Sequence, residues 1–199
     1  MSATRERLEP SDVEATAACV ADVCLRGAEV DWRCPAGTLD WTVRETVVHM
    51  ASTCTFYALH LSGAATSELP ITLASVGDPP NRQLINVIEA SARVLANVGR
   101  VVPPERRGFH DAGVADAEGF LAMGCSEMLV HLTDVAAGIG LGVTLPEEIC
   151  GRVVDRLYPR APNDVSRANA LLWANGRVGL HGGLPEKILR PWHCAPLDG

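Results

Sequence analysis

The chain has 199 residues, 47% of them hydrophobic and 21% charged, which is enough for one buried core and argues against extended disorder. With 17 basic and 24 acidic side chains, its formal charge of −7 disfavours non-specific binding to nucleic acid or an anionic membrane, both of which need a basic face. No apolar run reaches the roughly 18–20 residues of a membrane span, and the N-terminal MSATRERLEPSDVE has no apolar signal-peptide core. The expectation is a soluble, cytoplasmic protein folded as one domain over residues 1–199.

The elements are predominantly helical. Ser11-Asp12-Val13-Glu14 has the form of a capping box and opens a first helix running to about Arg26. Thr42-Val43-Arg44-Glu45 is a second such box. The helix it starts runs to about Ser62, with Gly63 as its stop. Along it Val43, Val47, Met50, Cys54, Tyr57 and Leu61 recur at steps of four and three, an amphipathic stripe. A loop carrying Pro70, Gly77, Pro79 and Pro80 leads to a third helix, about Asn81 to Val101, ended by Val102-Pro103-Pro104. Residues 105–116 read as irregular, with a short extended piece at Gly108-Phe109-His110. A fourth helix, about Ala117 to Ile139, carries Leu121, Met128, Leu132 and Val135 on one side. Pro146 suits the first turn of a helix towards Tyr158, and a last short helix covers about Val165 to Trp173. The fold class is therefore all-α, a four-helix bundle with short extra C-terminal helices.

The seven cysteines (Cys19, Cys24, Cys34, Cys54, Cys125, Cys150 and Cys194) form no C-x-x-C pair and are odd in number. They read as small buried hydrophobes rather than as a disulfide frame or a cysteine-rich zinc module.

Chemistry concentrates on the fourth helix. Glu127 and His131 are spaced i, i+4 and share a face with Phe120, Gly124, Asp134 and Gly138, beside the apolar stripe. A carboxylate and an imidazole this close to a core are costly unless paired or bound to a cation. Gly124 and Gly138 remove bulk on that face and are expected to leave room for a ligand. On the second helix His49 lies in line with Thr53, Phe56 and His60. If these flanks face each other, His49, Glu127 and His131 converge as two imidazoles and a carboxylate, with Asp134 orienting His131 from behind. The same E-x-x-x-H spacing also fits an exposed charge pair, and His60 reads as structural. His110, His181 and His193 fall in loops where solvation is the default, and Trp192-His193-Cys194 reads as a packing segment.

Three stretches taken together resemble a known family: Leu39–Leu61 (LDWTVRETVVHMASTCTFYALHL), Gly108–Gly140 (GFHDAGVADAEGFLAMGCSEMLVHLTDVAAGIG) and Ala170–Pro196 (ALLWANGRVGLHGGLPEKILRPWHCAP). They look like the DinB-like superfamily, and within it the branch named after the N-terminal domain of mycothiol-dependent maleylpyruvate isomerase. The resemblance covers most of the chain after about residue 30. It implies a four-helix bundle with a divalent metal, usually zinc, on His49, Glu127 and His131. It also implies a low-molecular-weight thiol as cosubstrate, mycothiol in actinobacteria. The near-exclusive use of arginine, with Lys187 as the only lysine, fits a GC-rich source of that kind. The isomerase's additional C-terminal domain is expected to have no counterpart among these 199 residues, so maleylpyruvate is not the expected substrate.

The expected activity is transfer of a metal-activated thiol to a small electrophile, or isomerisation by its addition and departure. Trp41, Thr53, Phe56 and Tyr57 are the expected pocket wall. Zinc is the default ion, and Ni, Mn or Fe accept the same ligands. Expected partners are the small substrate and the thiol, with no nucleic acid or membrane, and a monomer or homodimer. Two alternatives stay open: a thiol-independent metal-dependent hydrolase, lyase or isomerase, and a non-catalytic metal- or small-molecule-binding stress protein.

Overall fold

The computed structural model describes residues 5–71, 73–184 and 194–196. In chain order its elements are α1 (Pro10–Arg26), α2 (Val43–Ser62), α3 (Asn81–Val101), β1 (Arg107–His110), β2 (Gly113–Asp116), α4 (Ala117–Gly138), α5 (Glu147–Leu157) and α6 (Arg167–Ala174). The described residues are thus mostly helical, with six helices and one small hairpin.

Local signals explain most boundaries. At α2 the Thr42 hydroxyl accepts from the Glu45 amide at 3.2 Å while the Glu45 carboxylate accepts from the Thr42 amide at 2.8 Å, so each side chain satisfies the other's orphan donor. At α1 the capping box lies two residues earlier than the sequence indicated, from Glu9 to Asp12 rather than from Ser11 to Glu14. Pro10, with its fixed φ and no N–H, occupies the first turn, and Asp12 accepts from the Glu9 amide at 2.9 Å. Glu14 instead reaches Arg100 on α3. The all-α expectation fails at residues 107–116, where β1 and β2 pair antiparallel around a turn with Gly113 at φ +126°. β1 packs on α2 and β2 on α4: a Cβ on Gly108 would sit 2.6 Å from the His60 carbonyl oxygen, and the Phe109 amide donates to the Ala65 carbonyl.

α1 packs on α3 and α4, and α2 packs on the same two helices. α1 and α2 therefore occupy opposite corners, with α4 between them. Met50, Cys54 and Leu61 of α2, Ile85, Ile88 and Leu95 of α3, and Met128, Leu129 and Leu132 of α4 fill the space between. α4 is the central rod. By length and composition it could cross a membrane, yet 83% of its most apolar window is buried inside the fold. Five cysteines, Cys24, Cys54, Cys125, Cys150 and Cys194, are buried, and Cys19 and Cys34 are half-buried.

The glycines of α4 do a different job from the expected one. A Cβ on Gly124 would lie 2.6 Å from Leu95 Cδ2, and one on Gly138 would lie 2.5 Å from Val43 Cγ2 and 2.6 Å from the Pro35 carbonyl. They permit close approach of α3 and of the chain entering α2, and the space they free is already filled. At the other end of α4, the fully buried Arg156 donates to Asp116 (2.9 Å) and to the carbonyls of Cys194 (3.0 Å) and Ala195 (2.8 Å), tying the C-terminal segment down. Trp192 and His193 lie outside the described residues.

Candidate metal centre

Because α4 runs beside α2, the His49 flank of one helix meets the Glu127–His131 face of the other. His49 Nε2 lies 3.2 Å from Glu127 Oε2, and His131 Nε2 lies 3.4 Å from the same oxygen. One donor atom from each of the three residues falls within 4.8 Å of the other two, so the group could hold a metal ion. The imidazole rings stand nearly perpendicular at 87°, with centroids 5.1 Å apart.

The supports are ordered outward from His131. Its Nδ1 is 3.0 Å from Asp134 Oδ2, one turn along α4. Asp134 is in turn gripped by Arg177, whose Nε and an Nη donate to the two carboxylate oxygens at 3.2 and 2.8 Å. With a proton on Nδ1 held towards Asp134, His131 presents Nε2 towards Glu127 and His49. Asp134 thus stands where the i, i+3 spacing placed it.

Charge follows this geometry. Burial pushes the Glu127 carboxyl up, but the hydrogen bonds from His131 and His49 outweigh it and hold the group at about 2. Burial pulls His131 down, yet its bonds to Asp134 and Glu127 win and raise it above the usual histidine range. Asp134 is lowered because His131 and Arg177 overcome its burial.

Of the four wall residues read from the sequence, three border the centre. The Trp41 ring lies 4.9 Å from that of His49 and 6.1 Å from that of His131, and is 44% exposed, so it forms the outer lip. Thr53 Oγ1 is 3.4 Å from His49 Nε2. Tyr57 is buried and shares a small cavity with Glu127. Phe56 stacks on His60 instead, with ring centroids 3.8 Å apart. His60 is structural as expected: its Nδ1 lies 2.9 Å from the Phe56 carbonyl, and its Nε2 accepts from the Leu69 amide at 3.1 Å.

His110 corrects the solvated-loop expectation. It lies on β1, half-buried, with its ring 5.7 Å from that of Tyr57, and burial lowers its pKa. His181 is exposed beside Asp164. Arg177, Ser126, Tyr158 and Asn175 were not picked out from the sequence. Arg177 follows α6 by only a few residues, and nothing in its local pattern marks it as a partner of a residue 43 positions earlier.

Fold and site together define a mostly helical chain with a His–Glu–His group able to hold a metal ion. No family model, curated protein or solved structure matches the chain.

Proposed function

We propose that the chain is a metal-dependent enzyme of the DinB-like four-helix-bundle type, in which His49, Glu127 and His131 hold a divalent ion, with zinc as the default. The observation that carries the reading is the convergence of the three donors on one small volume. Two imidazole nitrogens and one carboxylate oxygen are a donor set that zinc takes readily in catalytic sites, and Ni, Mn and Fe accept it too.

The reaction we infer is S-transfer to, or isomerisation of, a small electrophile by a low-molecular-weight thiol, with mycothiol named by the family resemblance. A divalent ion bound at this centre would supply Lewis acidity, drawing the pKa of a thiol down from near 8.5. The chain's own residues supply orientation. Asp134 fixes the tautomer of His131, Arg177 fixes Asp134, and Trp41 covers the outer side of the two imidazoles. The protein's buried sulfurs do not compete as nucleophiles, because burial pushes Cys24, Cys54 and Cys150 each up to about 12. That favours a thiol brought from outside.

The test is a titration of mycothiol into the cobalt-substituted protein. A new sulfur-to-cobalt charge-transfer band supports the thiol reaction. Bound cobalt without that band refutes it and leaves a thiol-independent enzyme or a binder.

A further inference from the structure

Beside the candidate metal centre, and sharing Glu127 with it, lies a second feature that the three ligands do not account for. Tyr57, Met123, Ser126, Glu127, Leu157, Tyr158 and Asn175 line a cavity of about 50 Å³. That is room for a group of about four non-hydrogen atoms. Its polar lining can be assigned proton by proton. Tyr158 donates to Asn175 Oδ1 at 3.2 Å, so its one proton is used. Ser126 Oγ, 3.3 Å from the Tyr158 oxygen, must then be the donor of that pair. The Asn175 amide donates to the Leu171 carbonyl at 2.9 Å.

Besides the second Asn175 amide proton, Tyr57 and Glu127 keep unused capacity. Tyr57 is only 4% exposed, and among the described residues its hydroxyl forms no hydrogen bond, although the Glu127 charge and Tyr158 act on it. The oxygen is not sealed from solvent, so its donor is open to whatever occupies the cavity it lines. Glu127 meets both imidazoles through Oε2 and leaves Oε1 open, with a third of its side chain accessible. The cavity therefore offers the Tyr57 O–H and a spare Asn175 N–H as donors and one free carboxylate oxygen as acceptor. Among the described residues no basic side chain lines it.

We propose that this cavity is the substrate subsite of the centre and takes a neutral hydroxyl- or primary-amide-bearing group, which accepts from Tyr57 and donates to Glu127 Oε1. A carboxylate is rejected, since it would bring a second negative charge against Glu127 with no cationic side chain among the described lining residues to offset it. The inference rests on the proposed function only in treating Glu127 as part of the substrate centre. Tyr57 is then a specificity-determining residue and no metal ligand.

Acetamide and acetate, nearly equal in size and different in charge, are the probes. Each is titrated by ligand-observed NMR into wild type and Tyr57→Phe, as purified and with a chelator present, and the metal content of the same samples is measured. Acetamide is expected to bind wild type in both conditions and to weaken about 2- to 12-fold in Tyr57→Phe, the value of one hydrogen bond. Acetate is expected not to bind the chelated protein, and the melting temperature of Tyr57→Phe is expected not to fall. Equal acetamide affinity in the variant overturns the proposal, as does acetate bound as well as acetamide under chelator. No acetamide binding at all means a cavity that only holds water, which also overturns it. Bound metal without acetamide binding sinks the subsite alone. Acetamide binding lost in Tyr57→Phe, in samples that take up no metal, supports the subsite and sinks the metal reading.

Discussion

Replacing Asp134 with alanine removes the acceptor that holds His131 in register. The carboxylate is 6% exposed, takes the His131 Nδ1 proton at 3.0 Å, and pairs with Arg177 at 2.8 Å. Losing such a partner of a metal-bound histidine costs about 10- to 100-fold in metal affinity, which is about 1.4 to 2.8 kcal/mol. At a metal concentration a thousand times the wild-type Kd, bound metal stabilises wild type by about 4.1 kcal/mol. The same concentration stabilises the variant by only about 1.4 to 2.7 kcal/mol. At about 2 to 4 °C per kcal/mol for a chain of this size, the metal-dependent rise in melting temperature shrinks by about 3 to 11 °C. Competition against a chromophoric chelator reads the affinity directly, and thermal melts with and without metal read the stability. A folded Asp134→Ala protein that binds metal with wild-type affinity would show that Asp134 does not act through His131.

The pH response carries a sign that separates the two states. In the metal-free protein the raised His131 pKa stabilises the fold below the ordinary value of 6.5 and is lost as pH rises through the raised value. The Glu127 contribution is present above 4.5 and lost as pH falls towards about 2. With metal bound, proton and metal compete for His131 Nε2, so the metal-dependent gain in melting temperature is expected to grow with pH across the neutral range. His110, whose pKa is depressed by burial, affects both profiles alike and cancels in the difference. A gain that does not change with pH contradicts the assignment of His131 as a ligand. Gly138→Ala is expected to cost about 1 to 3 kcal/mol, because the new methyl meets Val43 and the Pro35 backbone, which cannot yield. Gly142→Ala, with nothing within 4 Å, is the control and should leave the melt unchanged.

How far sequence reached depends on the range of each interaction. α2 was readable because a reciprocal cap and a three–four stripe are both local, and they place His49 on the flank that meets α4. Glu127, His131 and Asp134 were readable for the same reason, being one turn apart on one helix. Of the hairpin only the extended piece at Gly108-Phe109-His110, now β1, was readable; its pairing with β2 was not, because strands of four residues show little alternation and pack on α2 and α4. Gly124 and Gly138 showed that bulk was missing, but only the packed fold shows that Leu95, Val43 and Pro35 occupy the space. The Glu127 cavity needs α2, α4, the end of α5 and Asn175 beyond α6, so no single stretch announces it.

The central claim is that His49, Glu127 and His131 bind one metal ion, and elemental analysis tests it most directly. Untagged wild type, His49→Ala and Glu127→Ala are purified in parallel, checked for folding, and analysed before and after reconstitution with zinc, nickel, manganese and iron. Wild type is expected to hold near one equivalent of metal, and both variants are expected to lose it. A folded wild type that takes up no metal from any of the four, or variants that keep it, would contradict the account.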